Sequence, residues 1–267
     1  MFTTYWEMQF NPFSKSAAGE HPFESEDFKQ ATARLDHLRE IKGIGLFTGL
    51  SGSGKTYTIK KFTEFLNPSL YKTLYMPLST LTVMEFYRAL ALEMGVVPAF
   101  KKIDLFRNIQ ERILSLSRDK RVTTVIILDE SQYLHTKILN DLKILFNFEM
   151  DSQNHAVVIL SGQPTLNNTL NMHVHEALAQ RIVINYTFNG LSRSELDDYI
   201  GSRLKACGVH ENMFAPNALE ALWGCSGNSP RVVNSLAEKC LHIGFQQKVR
   251  SIDPEIVMLA NSEISLV

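Results

Sequence analysis

The chain of 267 residues has few cysteines, no excess of charge and no long apolar run. Its three cysteines, Cys207, Cys225 and Cys240, are odd in number and lie 18 and 15 residues apart. That spacing fits neither a disulfide framework nor a close-pair zinc site. The formal net charge is -1, so the composition provides no general attraction to nucleic acid or membrane. Any such binding has to come from a local patch.

Membrane and export signals are also missing. No apolar run reaches the ~18 residues that a membrane-spanning helix needs, and the N-terminal MFTTYWEMQFNPFSK lacks the basic start and apolar centre of a secretion signal. The 45% of hydrophobic residues is enough for one or two packed domains. We therefore expect a cytoplasmic globular protein without a membrane segment.

Short β-rich runs alternate with helical stretches from about residue 43 to 188. The runs are GIGLFT (43–48), LYKTLYMPL (70–78), VTTVIILDE (122–130), AVVILSG (156–162) and IVINYTF (182–188). This alternation predicts an α/β fold in which a parallel sheet of about five strands is covered by helices on both faces.

From Leu191 onward the pattern changes to successive helices, each of which begins near a serine or a proline. We therefore predict three parts: an N-terminal approach segment with a first helix (1–42), a P-loop core (43–190) and a small all-helical lid domain (191–267).

A complete phosphate-loop motif, G-x-x-x-x-G-K-[ST], lies between the first strand and the next helix. Its glycines let backbone N–H groups converge on phosphate oxygens, while the lysine reaches the outer phosphates and the threonine hydroxyl can bind magnesium. Together with the next helical residue, the predicted nucleotide-binding segment is Gly49, Leu50, Ser51, Gly52, Ser53, Gly54, Lys55, Thr56 and Tyr57.

The run VIILDE ends a buried strand with two acids, Asp129 and Glu130. In a sheet of this type the carboxyl end of that strand lies beside the phosphate loop. Asp129, with Thr56, would hold Mg²⁺, and Glu130 would act as the general base that polarises the attacking water. No N-K-x-D motif for guanine is present, so we expect ATP as the nucleotide.

A third polar group is expected at the end of the adjoining strand, AVVILSGQP. Gln163 is the first choice, because an amide can accept from water and donate to phosphate. Ser161 is the alternative.

Arg231 stands in the first turn of a predicted helix, within GNSPRVVNSL, where the helix dipole disfavours a cation. The phosphate loop, VIILDE, SGQP, the helical lid and this late S-P-R together resemble AAA+ ATPases over about residues 30 to 245. The resemblance implies that Arg231 points to the γ-phosphate, which would couple ATP binding to lid closure. It also implies that Arg181 is an arginine finger acting on a neighbouring subunit, in a ring or a helical filament.

Within AAA+ proteins, the chain is similar to the ExeA-like group and to the transposon ATPases TnsC, TniB, IstB and MuB. NPF (11–13), FKQATARLDHLREIKGIGLFTGLSGSGKT, SGQPTLNNTL and LAQRI carry this narrower resemblance. The resemblance implies that Phe13 packs on adenine. The chain ends at 267 without the membrane segment and wall-binding domain of ExeA, which favours the transposition helpers.

Residues 101–121 contain seven basic side chains and three acidic ones. Such a local excess favours sequence-independent binding to phosphates of duplex DNA, although it also suits the solvated face of a helix. The predicted DNA contacts are Lys101, Lys102, Thr80 and Thr82.

We therefore expect an ATPase that oligomerises on duplex DNA and regulates transposition with a partner transposase. Two alternatives remain: an ATP-switched adaptor of a secretion or cell-wall complex, and a replication-initiator or helicase-loader ATPase.

Overall fold

The computed structural model describes residues 2–20, 22–77, 80–148 and 153–264. Five strands are present in these ranges: β1 Gly43–Gly49, β2 Tyr71–Met76, β3 Thr123–Leu128, β4 Ala156–Gly162 and β5 Ile182–Phe188. The second strand ends before Leu78, which was predicted to belong to it and lies outside the described residues.

Helices precede the sheet, connect its strands and follow it. They are α1 Phe2–Tyr5, α2 Lys15–Glu20, α3 Glu26–Ile41, α4 Lys55–Phe65, α5 Val83–Glu93, α6 Lys102–Arg118, α7 Thr136–Leu145, α8 Thr165–Leu170, α9 Glu176–Ala179, α10 Arg193–Ala206, α11 Pro216–Ser226, α12 Pro230–Gln247 and α13 Pro254–Ile264. Among the described residues, no helix combines the length and the apolar character needed to cross a bilayer.

The five strands form one parallel sheet in the order β2-β3-β4-β1-β5. This confirms the predicted fold class. Because all strands run the same way, their carboxyl ends lie along one edge, where the polar residues that follow β1, β3 and β4 are collected.

Alternate residues of the central strands point to opposite faces, as the two-residue period of a strand requires. Ile126 and Leu128 pack in a core with α5, α6 and α7 on one face. Val125 and Ile127 pack on the other face with side chains from α3 and α4. Both faces of the sheet are thus covered, which explains why β1, β3 and β4 are almost continuously buried.

The chain divides into two compact units. Residues 30–49 and 55–188 form the sheet unit, and residues 1–29, 50–54 and 189–267 form the helical unit. The core of the helical unit is built from α10 to α13 together with N-terminal residues such as Trp6, whose indole N–H donates to the Leu241 carbonyl at 2.9 Å.

Asp27 fixes the backbone at the point where the chain enters α10 in the helical unit. Its carboxylate is 7% exposed and accepts the N–H groups of Asn189 and Gly190 at 2.8 and 2.7 Å. The Leu191 N–H donates to the Asn228 carbonyl at 2.8 Å. Gly190 has a φ of +85°, and a Cβ there would lie 2.1 Å from that same carbonyl, so only glycine suits this position.

Candidate active site

Asp129 is the centre of a hydrogen-bond cluster at the carboxyl edge of the sheet. One carboxylate oxygen accepts from the Ser161 hydroxyl at 2.8 Å and from the Glu130 N–H at 3.0 Å. The other accepts from the hydroxyls of Thr56 at 3.1 Å and Tyr75 at 2.9 Å. The residue is 5% exposed, and such a set of donors compensates the cost of holding a carboxylate out of water.

The first turn of α4 brings two predicted site residues into the sheet unit. Lys55 is 8% exposed, and its ammonium donates to the Gly49 carbonyl at 2.8 Å. Thr56 contacts Asp129, as described above, and Tyr57 follows, partly buried. Hydroxyl and carboxylate oxygens are ligands that Mg²⁺ prefers. The pair Thr56 and Asp129 therefore fits a magnesium ion.

Residues 50–54 of the phosphate loop belong to the helical unit and contact its helix α12. Gly52 has a φ of +80°, and a Cβ there would lie 2.5 Å from the Ser229 hydroxyl oxygen and 2.9 Å from the Arg231 Cβ. The Arg231 guanidinium is exposed and donates to the Ser51 hydroxyl at 3.2 Å. The predicted sensor arginine thus lies directly beside the loop, with Ser229 as the N-cap of its helix.

Glu130 follows β3 in a left-handed conformation, with φ 51° and ψ 37°. Such a conformation is uncommon for a residue with a side chain and often marks a functional position. Its side chain is exposed, and one carboxylate oxygen accepts from the Gln132 amide at 2.6 Å. Glu130 is thus next to the Asp129 cluster but retains access to solvent.

Ser161 and Gln163 were the two candidates for the polar group after β4. The Ser161 side chain is fully buried and contacts Asp129. Gln163 is partly buried, and its backbone N–H donates to the Gln132 side-chain carbonyl at 2.9 Å. The Ser161 side chain therefore contacts Asp129, whereas the Gln163 backbone contacts Gln132, the residue that donates to Glu130.

Arg181 lies at the opposite edge of the sheet from Lys55 within the sheet unit. It precedes β5, whose first residue pairs with Ile44 of β1, while Gly49 pairs with the last residue, Phe188. Six residues of strand separate these positions, about 20 Å at the usual rise. The Arg181 guanidinium donates to the Lys143 carbonyl at 2.5 Å. In a single chain it does not reach the phosphate-loop lysine.

Phe13, which the resemblance implies would pack on adenine, lies in the core of the helical unit. Phe13 is 3% exposed and packs edge-on against Phe214 in the core of the helical unit. Packing of this ring on adenine stays a prediction. The apolar character of NPF has a structural origin.

The four predicted DNA contacts differ in their environments. Lys101 and Thr80 are exposed, but Lys102 is paired with Asp141 at 2.5 Å. The Thr82 hydroxyl forms a capping box with Glu85 at the start of α5. Two of the four side chains therefore already have protein partners.

Two functional candidates were missed by sequence reasoning, Tyr75 and Gln132. Burial and the neighbouring Asp129 carboxylate raise the pKa of Tyr75 from 10.0 to about 12. Its hydroxyl therefore remains a donor to Asp129 at neutral pH. A tyrosine within a strand is usually interpreted as part of the sheet surface, so the sequence contains no signal for Tyr75. Gln132 could have been recognised, because it lies only two residues after Glu130.

A family model matches the part of the chain that carries this site. Residues 38–170 match the model of the AAA domain family. This segment is therefore similar to an AAA domain, in agreement with the predicted AAA+ resemblance.

One relative matches along almost the whole chain. General secretion pathway protein A of Aeromonas hydrophila is 31% identical over 270 aligned positions, which include 99% of this chain and 49% of that protein. The chain is homologous to this secretion protein and spans about half its length. The predicted similarity to the ExeA-like group is thus supported. The predicted similarity to the transposition helpers stays a prediction.

Solved structures support the fold. Cdc6p from Pyrobaculum aerophilum superposes with a TM-score of 0.71 at 16% identity, covering 96% of this chain and 71% of that one. Drosophila ORC bound to DNA gives a TM-score of 0.69 at 17% identity, with coverage of 98% and 65%. The chain thus has the P-loop NTPase fold of these proteins, followed by a helical region.

Proposed function

We propose that the chain binds and hydrolyses ATP with Mg²⁺. The observation that supports this best is the convergence of Lys55, Thr56 and Asp129 at the carboxyl edge of the sheet, with Glu130 next to Asp129. A cation, two oxygen ligands and an accessible carboxylate are the parts that phosphoryl transfer to water requires.

Each residue has a separate task in this reaction. The N–H groups of the loop Gly49–Thr56 bind the β- and γ-phosphates, and Lys55 moves from the Gly49 carbonyl to the phosphate oxygens. Thr56 and Asp129 would hold Mg²⁺, which would neutralise negative charge of the phosphates. Glu130 accepts the proton of the attacking water.

We propose that Arg231 couples binding of the γ-phosphate to movement of the helical unit. Its guanidinium already contacts Ser51 in the phosphate loop. A cation in the first turn of a helix is disfavoured by the helix dipole. A charge-assisted bond to phosphate would offset that cost and favour lid closure when ATP is bound.

Arg181 is proposed to act on the ATP of a neighbouring subunit. Its place at the amino edge of the sheet, about 20 Å of strand away from Gly49, excludes a role at its own phosphate loop. Hydrolysis would then depend on a homo-oligomer, either a ring or a helical filament.

We distinguish Ser161 from Gln163 through two readouts. Ser161→Ala removes one donor to Asp129 and should raise the half-saturating Mg²⁺ concentration by about threefold. Gln163→Ala should lower kcat by about tenfold at saturating Mg²⁺, because it would remove the amide proposed to contact the γ-phosphate. Phosphate release measured in a magnesium titration checks both. The reverse pattern would make Ser161 the sensor.

We further propose that the protein uses its ATP cycle to assemble on duplex DNA. There it would regulate transposition together with a partner transposase. Six of the seven basic side chains of residues 101–121 are exposed: Lys101, Lys102, Arg107, Arg118, Lys120 and Arg121. Such a surface suits phosphate contacts without base readout. A second candidate, a switch within a secretion-type protein complex, is favoured by the homology over 99% of the chain.

Turnover in the presence of duplex DNA separates these two uses. We expect ATP hydrolysis to rise with duplex length from about 10 to 60 base pairs, because longer duplexes hold more adjacent subunits. Lys101→Glu should weaken duplex binding by roughly fivefold at 0.1 M salt, while Lys29→Glu, an exposed lysine outside this segment, should not. Turnover that ignores DNA at every length would favour the protein-complex switch.

A further inference from the structure

Gln132 joins the two strand ends that carry the proposed chemistry. Its side-chain N–H donates to Glu130 Oε2 at 2.6 Å, and its side-chain oxygen accepts the Gln163 N–H at 2.9 Å. These contacts assign the amide orientation, because a carboxylate cannot donate and a backbone N–H cannot accept. One side chain therefore links Glu130, the second residue after β3, to Gln163, the first residue after β4.

The turn that presents Gln132 is fixed by its own bonds. Ser131 is fully buried, and its hydroxyl donates to the Leu128 carbonyl at 2.7 Å. The Tyr133 N–H donates to the Glu130 carbonyl at 3.0 Å. Across the gap, a Cβ on Gly162 would lie 2.7 Å from the Gln132 side-chain oxygen. The amide thus occupies a close-fitting position, and glycine at 162 provides the space for it.

We propose that Gln132 is a positioning residue for the general base, an inference that rests on the proposed hydrolysis of ATP. By occupying Glu130 Oε2, the amide orients the carboxylate and leaves Oε1 for the water proton. By accepting from the Gln163 N–H, it also transmits a shift of the β4 end to Glu130. Glu130 and the candidate sensor Gln163 are then coupled through one side chain.

Two substitutions separate this role from simple support of the turn. Gln132→Ala removes both bonds. We expect kcat to fall by about tenfold, because the bond lost at Glu130 is charge-assisted and orients the reacting carboxylate. The KM for ATP should change less than twofold, because neither bond is made to the nucleotide. Gln132→Glu keeps the acceptor for the Gln163 N–H but places a second carboxylate beside Glu130.

The pH profile of kcat is the decisive readout for Gln132→Glu. A neighbouring negative charge disfavours the ionised form of a carboxylate, so we expect the pH below which turnover falls to move upward by about one unit. A merely structural residue would not shift this acid limb. The matched control is Gln30→Ala, an exposed glutamine on α3 whose amide oxygen accepts from Arg34 at 2.7 Å; it should leave kcat and the profile unchanged.

Failure of the inference can be told apart from failure of the proposed function. If wild-type protein hydrolyses ATP no faster than Glu130→Gln, the proposed hydrolysis fails, and the role of Gln132 fails with it. If wild-type protein is active but Gln132→Glu keeps both the kcat and the acid limb, only the role of Gln132 is refuted. It is also refuted if Gln132→Ala loses nucleotide affinity and thermal stability in proportion to kcat.

Discussion

Glu130→Gln should lower the kcat for ATP hydrolysis by about 1,000-fold while leaving the Kd for ATP within about twofold, as expected for loss of a general base. The amide has nearly the same shape and keeps the exposed position after β3, but it cannot take a proton from water. Steady-state phosphate release and equilibrium binding of a fluorescent ATP analogue measure the two quantities.

A matched control separates this effect from a general loss of charge. Glu111→Gln changes an exposed glutamate on α6 and should retain full turnover. If Glu130→Gln retained more than a tenth of the wild-type kcat, Glu130 would not be the general base. The proposed chemistry would then need another acceptor.

Arg181→Ala should lower kcat by about 1,000-fold at protein concentrations where the subunits assemble, because a finger supplies charge only in the transition state. Nucleotide affinity should change little, since Arg181 lies at the sheet edge opposite Gly49. Arg88→Ala, an exposed arginine on α5, serves as the control and should be active.

Mixing the two inactive variants tests whether Arg181 acts between subunits. In a one-to-one mixture of Arg181→Ala and Glu130→Gln, about a quarter of the interfaces combine an intact Glu130 with an intact Arg181 on the neighbour. We therefore expect about a quarter of the wild-type turnover to return. An Arg181→Ala protein that assembles and keeps full turnover, or a mixture that stays inactive, would remove the finger assignment.

The sheet could be predicted from sequence because its local and long-range signals agree. The apolar runs that became β1, β3 and β4 are buried on both faces, and such strands need no alternation of polar residues to be recognised. Lys55 and Thr56 were predicted from a motif whose spacing reflects phosphate geometry, and Asp129 was predicted from the two acids that end the run VIILDE. Their contacts require only that the carboxyl ends of parallel strands lie on one edge.

Other parts of the site depend on partners that are distant in sequence. Tyr75 reaches Asp129 across 54 residues, and Gln132 reaches Gln163 across 31, so neither pair leaves a periodic signal. Phe13 was assigned to adenine because a resemblance to relatives supplied a role, whereas its burial against Phe214 is decided by packing within the helical unit. Similarly, the ion pair of Lys102 with Asp141 brings together α6 and α7, which charge counting along one helix does not detect.

The carboxylate of Asp27 has a practical consequence for shortened versions of the protein. The matched AAA segment begins at residue 38, which makes that position an obvious place to start an expression fragment. Such a fragment would remove the acceptor for the N–H groups of Asn189 and Gly190, although these residues lie 162 and 163 positions downstream of Asp27. These two backbone donors would then have to bond to water where they now have a carboxylate. An expression fragment should therefore begin at or before Asp27, even though these N-terminal residues precede the matched AAA segment.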